Sequence, residues 1–422
     1  MMLFLSNFKS TVLLWFLVLA TCGNETEKKA STPPSNAEEQ IEKSEKGIIV
    51  AANRTEAYLP LLKGKKIGIV ANQTSVIFNN EGHTHLVDSL LSLNINIKKV
   101  FAPEHGFRGQ ADAGEHVKNS TDSKTGLPLI SLYGKNRKPS QEQLEDLNVV
   151  LFDIQDVGVR FYTYIATLQL VMEACAEKGI PVMVLDRPNP NGHYVDGPSM
   201  EAAHTSFLGM TEIPLVYGMT IGEYATMINE EGWLENGKKV DLTVIALENW
   251  THASFYTLPI RPSPNLPNDT SITLYPSLGL FEGTNVNAGR GTEFQFQRYG
   301  ASLISAFEFP ASFLNSEKYS FTYIPEPNFG SKHPKEEGKV CYGVDLSKVE
   351  RMREVTMNYI IDAYTNSTDK SNFFLTSGFT KHAGNEKLQK QIEAGNSNAE
   401  IKATWQPALE KFKKIRANYL LY

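Results

Sequence analysis

Between Lys65 and about residue 260, short β-rich apolar runs alternate with helical stretches, and no other feature of this 422-residue chain constrains its fold as far. The runs are IGIVAN (67–72), IKKVFAP (97–103), NVVLFDIQDVG (148–158), IPVMVLDRPNP (180–190) and VDLTVIALEN (240–249). GHTHLVDSLLSLN, TYIATLQLVMEACAEKG and MTIGEYATMINEEGWL lie between them and predict helices, the second stopped by Gly179. Such alternation predicts a parallel sheet with helices on both faces. The strands are continuously apolar, as expected when both faces are covered. Residues 47–265 therefore predict a Rossmann-like domain. Beyond Arg261 the chain becomes dense in Pro, Gly and Asn and the alternation stops. SKVERMREVTMNYIIDAYTN predicts one clear helix there, and the last stretch, from Lys390 on, reads as short-linked helices. Residues 266–422 thus predict a smaller, mixed α/β domain, with an active site in the cleft between the two.

No glycine-rich turn follows the first strand, so a nicotinamide cofactor is not expected. Walker, H-E-x-x-H and G-x-S-x-G motifs are absent from the sequence as well, and no cofactor is predicted. A net charge of −6, dispersed along the chain, gives no support for nucleic-acid binding.

At the N-terminus, Lys9 precedes an apolar run, Val12 to Ala20, that is short for a membrane span and fits a secretory signal. The run ends Leu19-Ala20-Thr21-Cys22-Gly23, which resembles a bacterial lipobox, with Thr21 where a smaller residue is usual. The expectation is a signal ending at Cys22 (residues 1–22), lipidation of Cys22, and a disordered tether over 23–46. That places the protein in the cell envelope as a membrane-anchored lipoprotein facing the periplasm, or as a secreted protein if the lipobox fails. Cys175 and Cys341 do not make a disulfide framework, so stability must come from the core.

In an open parallel sheet, ligands bind beyond the carboxyl ends of the strands. Polar residues collect at those ends here. Asn72 and Gln73 follow the first run; Glu104, His105 and Arg108 follow the second. Asp153, Gln155, Asp156, Arg160, Tyr162 and Tyr164 follow the third, and Asp186, Arg187, Asn189 and Asn191 the fourth. Asp153 and Asp156 read as well as structural groups, helix caps or partners of Arg160 and Arg187, as they do as site residues. His83 and His85 read as solvated histidines at a helix start rather than as a metal pair. Glu104 is the sharpest candidate. Pro103 stiffens its approach, and Val100, Phe101, Ala102 and Phe107 supply apolar surroundings expected to raise a carboxyl pKa, as a general acid needs. In the second half, LFEGTNVNAGRGTEF (280–294) carries Glu282, with Gly283, Gly289, Gly291 and Arg290 in a loop suited to anions.

FAPEHGFRG, GLPLISLYG, FDIQDVGVRFYTY, VLDRPNPNG, DGP, IPLVYGMTIGEYA, PSPNLPN and LYPSLGLFEGTNVNAGRGTEF, in that order, resemble the exo-β-N-acetylmuramidases of the NamZ type. The resemblance implies a glycoside hydrolase that removes terminal β-1,4-linked N-acetylmuramic acid from the non-reducing end of peptidoglycan fragments. It implies Glu104 as catalytic acid and Glu282 as a second catalytic candidate, with Asp153, Asp156 or the substrate's own acetamido oxygen as alternatives for the second group. Asn72, His105, Arg108, Asp153, Gln155, Asp156, Arg160, Tyr162, Arg187, Asn189, Asn285 and Arg290 are then candidates for binding the substrate. Its lactyl carboxylate suits the arginines and its acetamido group suits the amides. Expected partners are MurNAc-GlcNAc saccharides and, through the lipid, a membrane; no nucleic acid is expected. Two alternatives stay open: a non-catalytic carbohydrate-binding surface lipoprotein, and a metal-dependent hydrolase using Asp153, Asp156, Glu104 and His105.

Overall fold

The computed structural model describes residues 47–109, 119–302 and 321–422. The expected signal, Cys22 and the tether lie outside the described residues. In chain order the strands are β1 (Ile67–Ala71), β2 (Val76–Asn79), β3 (Gly82–His85), β4 (Ile97–Ala102), β5 (Ser120–Thr121), β6 (Pro128–Ser131), β7 (Val149–Asp153), β8 (Val182–Leu185), β9 (Asp196–Ser199), β10 (Pro214–Val216), β11 (Leu242–Ile245), β12 (Arg298–Ser302), β13 (Phe321–Tyr323) and β14 (Cys341–Asp345). Seven form one sheet in the order β11-β8-β7-β1-β4-β6-β5. All neighbours are parallel except β5, which pairs antiparallel with β6 at the edge. Leaving out β5, the parallel strands run outward from β1 in both directions, β4 then β6 on one side and β7, β8 and β11 on the other. The switch point lies between β1 and β7, where diverging connections leave a crevice at the carboxyl ends.

Successive residues of a strand face opposite sides, and β7 shows why its sequence is apolar throughout. Val150 and Phe152 enter the core beneath the helix Tyr164–Lys178. Val149 and Leu151 enter the other core, with Tyr58, Leu86 and Leu90. The helix Tyr164–Lys178 ends at Gly179, whose φ of 71° is left-handed, as the sequence anticipates. Thr220 and Glu223 form a reciprocal cap at the start of Ile221–Glu230.

Three expectations change. The stretch GHTH does not begin a helix: Gly82–His85 is a strand paired antiparallel with Val76–Asn79, and the helix starts at Leu86. The long helix expected from Ser347 on is only Asn358–Thr365. Tertiary hydrogen bonds claim the preceding amides: Met352 N–H donates to Thr273, Val355 N–H to Asp196 and Thr356 N–H to Ser277. Conversely, a helix, Asp269–Leu278, rises inside the Pro/Asn-rich stretch, capped by Asn268. After it β12, β14 and β13 form an antiparallel sheet. Leu274, Leu278, Phe281, Tyr299, Phe379 and Trp405 share one apolar core with Phe152 and the helix Tyr164–Lys178. The later half of the chain is therefore packed directly onto one face of the sheet.

Candidate functional site

Glu104 stands just past the end of β4, flanking the switch point. Its Oε2 accepts a hydrogen bond from Thr163 Oγ1 at 2.8 Å, and its carbonyl accepts one from the Tyr164 hydroxyl at 3.5 Å. Thr163 is the N-cap of the helix Tyr164–Lys178, so the Glu104 side chain is held at the start of that helix. His105, buried, adopts a left-handed φ of 68°, a costly conformation for a non-glycine residue that turns the chain sharply after Glu104. Further along, a Cβ on Gly109 would lie 2.7 Å from Gln73 Oε1, so this loop is pressed against the end of β1.

Asn72 is held from the other side. His85 Nε2 contacts the Asn72 carbonyl at 2.9 Å, and Val87 N–H donates to His85 Nδ1 at 3.3 Å. The two contacts require a neutral ring protonated on Nε2. Burial, with Arg108 helping against the Asn72 hydrogen bond, lowers the His85 pKa to about 4, which fits. His85 is thus neither solvated nor half of a metal pair; it positions the strand end, while His83 is exposed.

Opposite these loops, Glu282 sits on the 3-10 turn Gly279–Gly283, immediately after the helix Asp269–Leu278. Arg290 Nη1 donates to Glu282 Oε2 at 2.9 Å. Lys335 Nζ donates to the carbonyls of Phe281, Glu282 and Thr284 at 2.9, 3.1 and 2.6 Å, placing a cation under the same turn. Burial pushes the Glu282 carboxyl up, but Arg290 and Lys335 outweigh it and hold the group below the ordinary value. Glu282 is therefore an anion at neutral pH, with its side chain still 26% exposed.

Tyr275 joins the two halves. Its ring lies 5.1 Å from Phe161, 6.1 Å from Tyr162 and 4.8 Å from Phe296. Burial raises its hydroxyl pKa, and the charges of Glu282 and Glu104 both add to the effect. One buried hydroxyl thus feels both candidate carboxylates. The Tyr162 and Tyr164 rings, 4.8 Å apart, continue this aromatic wall towards Glu104.

Several expected binding residues are engaged elsewhere. Arg187 forms a bidentate pair with Asp153, at 2.6 and 2.9 Å, and also donates to the Val76 carbonyl at 3.0 Å. At 3% and 0% exposed, this pair has no free edge for a substrate carboxylate. Arg160 is wholly buried and donates to the carbonyls of His382 and Ala383 at 3.1 and 3.0 Å, clasping the C-terminus of the helix Thr376–Ala383. Neither of its alternative acidic partners is used. Arg108 pairs with Asp122 at 2.9 Å and Asp88 at 3.4 Å, and its guanidinium lies 4.3 Å over the Phe107 ring. Gln155, Asn189 and Asn191 are buried and bond backbone carbonyls, and Asn285 holds the backbone of Phe373 and Asn372. Asp156 accepts from the Tyr217 hydroxyl and from Gly158 N–H. With Asp153 and Asp156 so committed, a metal centre built on them loses its ligands; among the described residues no three His, Cys, Asp or Glu side chains stand together as a metal set. Glu104, Tyr275, Glu282 and Arg290 remain partly exposed, whereas Asn72 is wholly buried and its Oδ1 accepts from the Thr74 amide and hydroxyl. A cleft of about 780 Å³ lined by Trp233, Trp405 and Glu201 lies elsewhere and contains none of them. The switch point and the paired carboxylates mark the candidate site more specifically than volume does.

Two family models match in tandem: the N-terminal part of the exo-β-N-acetylmuramidase NamZ over residues 67–270 and its C-terminal part over 273–422. The chain belongs to the exo-β-N-acetylmuramidase NamZ family. It is 37% identical over 424 residues to the peptidoglycan β-N-acetylmuramidase NamZ of Bacillus subtilis strain 168, covering 98% of this chain and all of that one. Two crystal structures of DUF1343 family proteins from Bacteroides fragilis NCTC 9343 share the fold. One is 43% identical with a TM-score of 0.79, the other 27% identical with a TM-score of 0.74. Each covers 89% of this chain and is itself covered to 99%. Glu104 falls in the N-terminal family match and Glu282 in the C-terminal one, so the candidate site draws on both.

Sequence reasoning missed Tyr275, Thr163, His85 and Lys335 as site-forming residues. Tyr275 lies inside a motif already singled out, two residues before the small Ser277 and four before Gly279, and the GLFEG turn that follows was the available signal. Lys335 carried none: it is 53 residues from Glu282, and only folding brings it there.

Proposed function

We propose that this protein is a glycoside hydrolase that removes terminal β-1,4-linked N-acetylmuramic acid from the non-reducing end of peptidoglycan fragments. The observation that carries the reading is the match to the muramidase family along both halves of the chain, with Glu104 fixed by Thr163 in the first half and Glu282 fixed by Arg290 in the second. Glu104 is assigned the general acid. It gives its proton to the glycosidic oxygen as the bond from the sugar's anomeric carbon breaks, and the departing sugar leaves as an alcohol. Glu282, kept ionised by Arg290 and Lys335, faces the positive charge that develops on the ring and lowers its energy. Water completes the hydrolysis. Arg290 spends Nη1 on Glu282 and Nη2 on the Gly330 carbonyl; it is the site's arginine nearest in role to a partner for the lactyl carboxylate.

The test is release of N-acetylmuramic acid from the MurNAc-GlcNAc disaccharide. The wild-type protein should release it, and Glu104→Gln should bind the disaccharide while losing at least about a hundredfold in kcat. A Glu104→Gln variant that turns over at the wild-type rate removes Glu104 from the role, and a wild-type protein without turnover defeats the reading. We further propose that the chain works at the cell envelope, lipid-anchored through Cys22; the LATCG stretch after an apolar run supports this.

A further inference from the structure

Phe329 is 55% exposed, yet it stands on one of the most firmly tied turns near the candidate site. Asn328 and Ser331 exchange backbone hydrogen bonds at 3.0 and 3.1 Å, closing a tight turn with Phe329 and Gly330 at its tip. The Gly330 carbonyl accepts from Asn265 Nδ2 at 2.7 Å and from Arg290 Nη2 at 3.1 Å. Asn328 Nδ2 donates to the Thr292 carbonyl at 3.0 Å. The same Arg290 holds Glu282 through Nη1. The turn is therefore one hydrogen-bonded residue away from the candidate carboxylate. It also rests on the 261–265 stretch, whose Arg261 and Pro262 carbonyls accept from Gln73 Nε2 at 3.3 and 3.0 Å. Gln73 in turn abuts Gly109 of the Glu104 loop. A chain of contacts runs from the Glu104 loop through Gln73, the 261–265 stretch and the turn to Arg290 and Glu282, and Phe329 stands beside Gly330 in that chain.

A single exposed phenylalanine is ordinarily unremarkable on a protein surface. Other exposed aromatics have a cation at the ring: Arg298 lies 4.1 Å over Phe294 and Arg351 lies 5.3 Å from the Phe255 ring centre. Among the described residues, Phe329 has no ring or cation against it. Its backbone is immobilised while its face is left open, so a ligand meeting it meets a pre-positioned apolar plate at little entropic cost. The rest of the site is lined by carboxylates, an arginine and tyrosines, suited to a sugar carrying charge and amide groups. An exposed ring suits instead the sugar that stays partly outside.

Resting on the muramidase reading, we propose that Phe329 is the stacking platform for the leaving sugar, the N-acetylglucosamine on the reducing side of the scissile bond. A β-linked pyranose shows one face of axial C–H groups, and apolar area buried against an aromatic ring is favourable. Phe329 thereby selects for a saccharide in the leaving position and contributes nothing to holding the terminal N-acetylmuramic acid.

The test uses the full chain with Phe329→Ala and Phe329→Trp. Two quantities are measured: kcat and KM for MurNAc-GlcNAc, and the inhibition constant of free N-acetylmuramic acid. Phe329→Ala should lower kcat/KM about tenfold, mainly through KM, equivalent to about 1.4 kcal/mol, and leave that inhibition constant unchanged. Phe329→Trp should restore kcat/KM. An unchanged kcat/KM in Phe329→Ala overturns the platform. So does an inhibition constant that rises in step with KM, or a Trp variant as poor as Ala. Wild-type protein that releases no sugar overturns the muramidase reading itself, whereas failure of the platform alone leaves wild-type turnover intact.

Discussion

Asp156 is a carboxyl deprived of water beside the candidate site. One oxygen accepts both the Tyr217 hydroxyl and the Gly158 amide, and the other has no partner. Burial pushes its pKa up to about 6, against the pull of those two hydrogen bonds. A carboxyl raised in the folded state favours its protonated form there. The stability it lends is complete below its ordinary value near 3.8 and is lost as pH rises through about 6. Asp156→Asn keeps the neutral shape at every pH. Melting temperatures from about pH 4 to 8 should show the wild type losing ground to the variant as pH rises through that window; parallel curves would count against a raised Asp156. The residues near the site divide by how their charge is met. Glu282 has cations beside it and stays ionised, whereas Asp156 has only dipoles and is driven towards neutrality. Sequence placed both as candidate site residues, but it contains no information on which cation folds against which acid. Arg160 shows the same limit. Its four-residue spacing from Asp156 permits a pair, and the structure spends it on helix carbonyls 222 and 223 residues away.

The 3-10 turn Gly279–Gly283 is positioned by the helix Thr376–Ala383, whose far end Arg160 clasps. Leu375 N–H donates to the Gly283 carbonyl at 2.9 Å. A Cβ on Gly283 would sit 2.6 Å from the Phe379 amide nitrogen, so glycine is needed for closeness and not for its dihedral freedom. Gly283→Ala must push turn and helix apart. It should cost about 1–3 kcal/mol and displace Glu282, so that both melting temperature and kcat fall. Gly378→Ala is the matched control, since its new Cβ would meet nothing nearer than 3.7 Å. Equal effects of the two substitutions on kcat would refute the positioning role. Elements with strong local signals were legible in advance: β1, β4, β7, β8, β11 and the helices ending at Gly179 and starting at Thr220. The helix Asp269–Leu278 was not, because Pro276 and a neighbourhood of turn residues mask a cap made by Asn268. The helix expected from Ser347 failed for the opposite reason, since long-range partners took its amides.

Across the whole molecule, the switch-point sheet supplies Glu104, and the stretch packed onto its face supplies Tyr275, Glu282, Arg290 and Lys335. No described helix is long and apolar enough to cross a membrane; the proposed attachment is through Cys22. Cys22→Ala should move the protein from the membrane fraction to the soluble fraction of cells, and unchanged membrane association would refute the lipid anchor. Apolar periodicity, cap residues and ordered motifs act over a few residues, and they sufficed for the parallel sheet, its polar strand ends and the family. Local signals cannot say which acid meets which base. Asp153 went to Arg187, Arg108 to Asp122, and Glu282 to Arg290 and Lys335 because the packed core brings those groups together and burial makes an unpaired charge costly. Glu104 was conspicuous from the chain alone, but its hydrogen bond to Thr163 came from that packing.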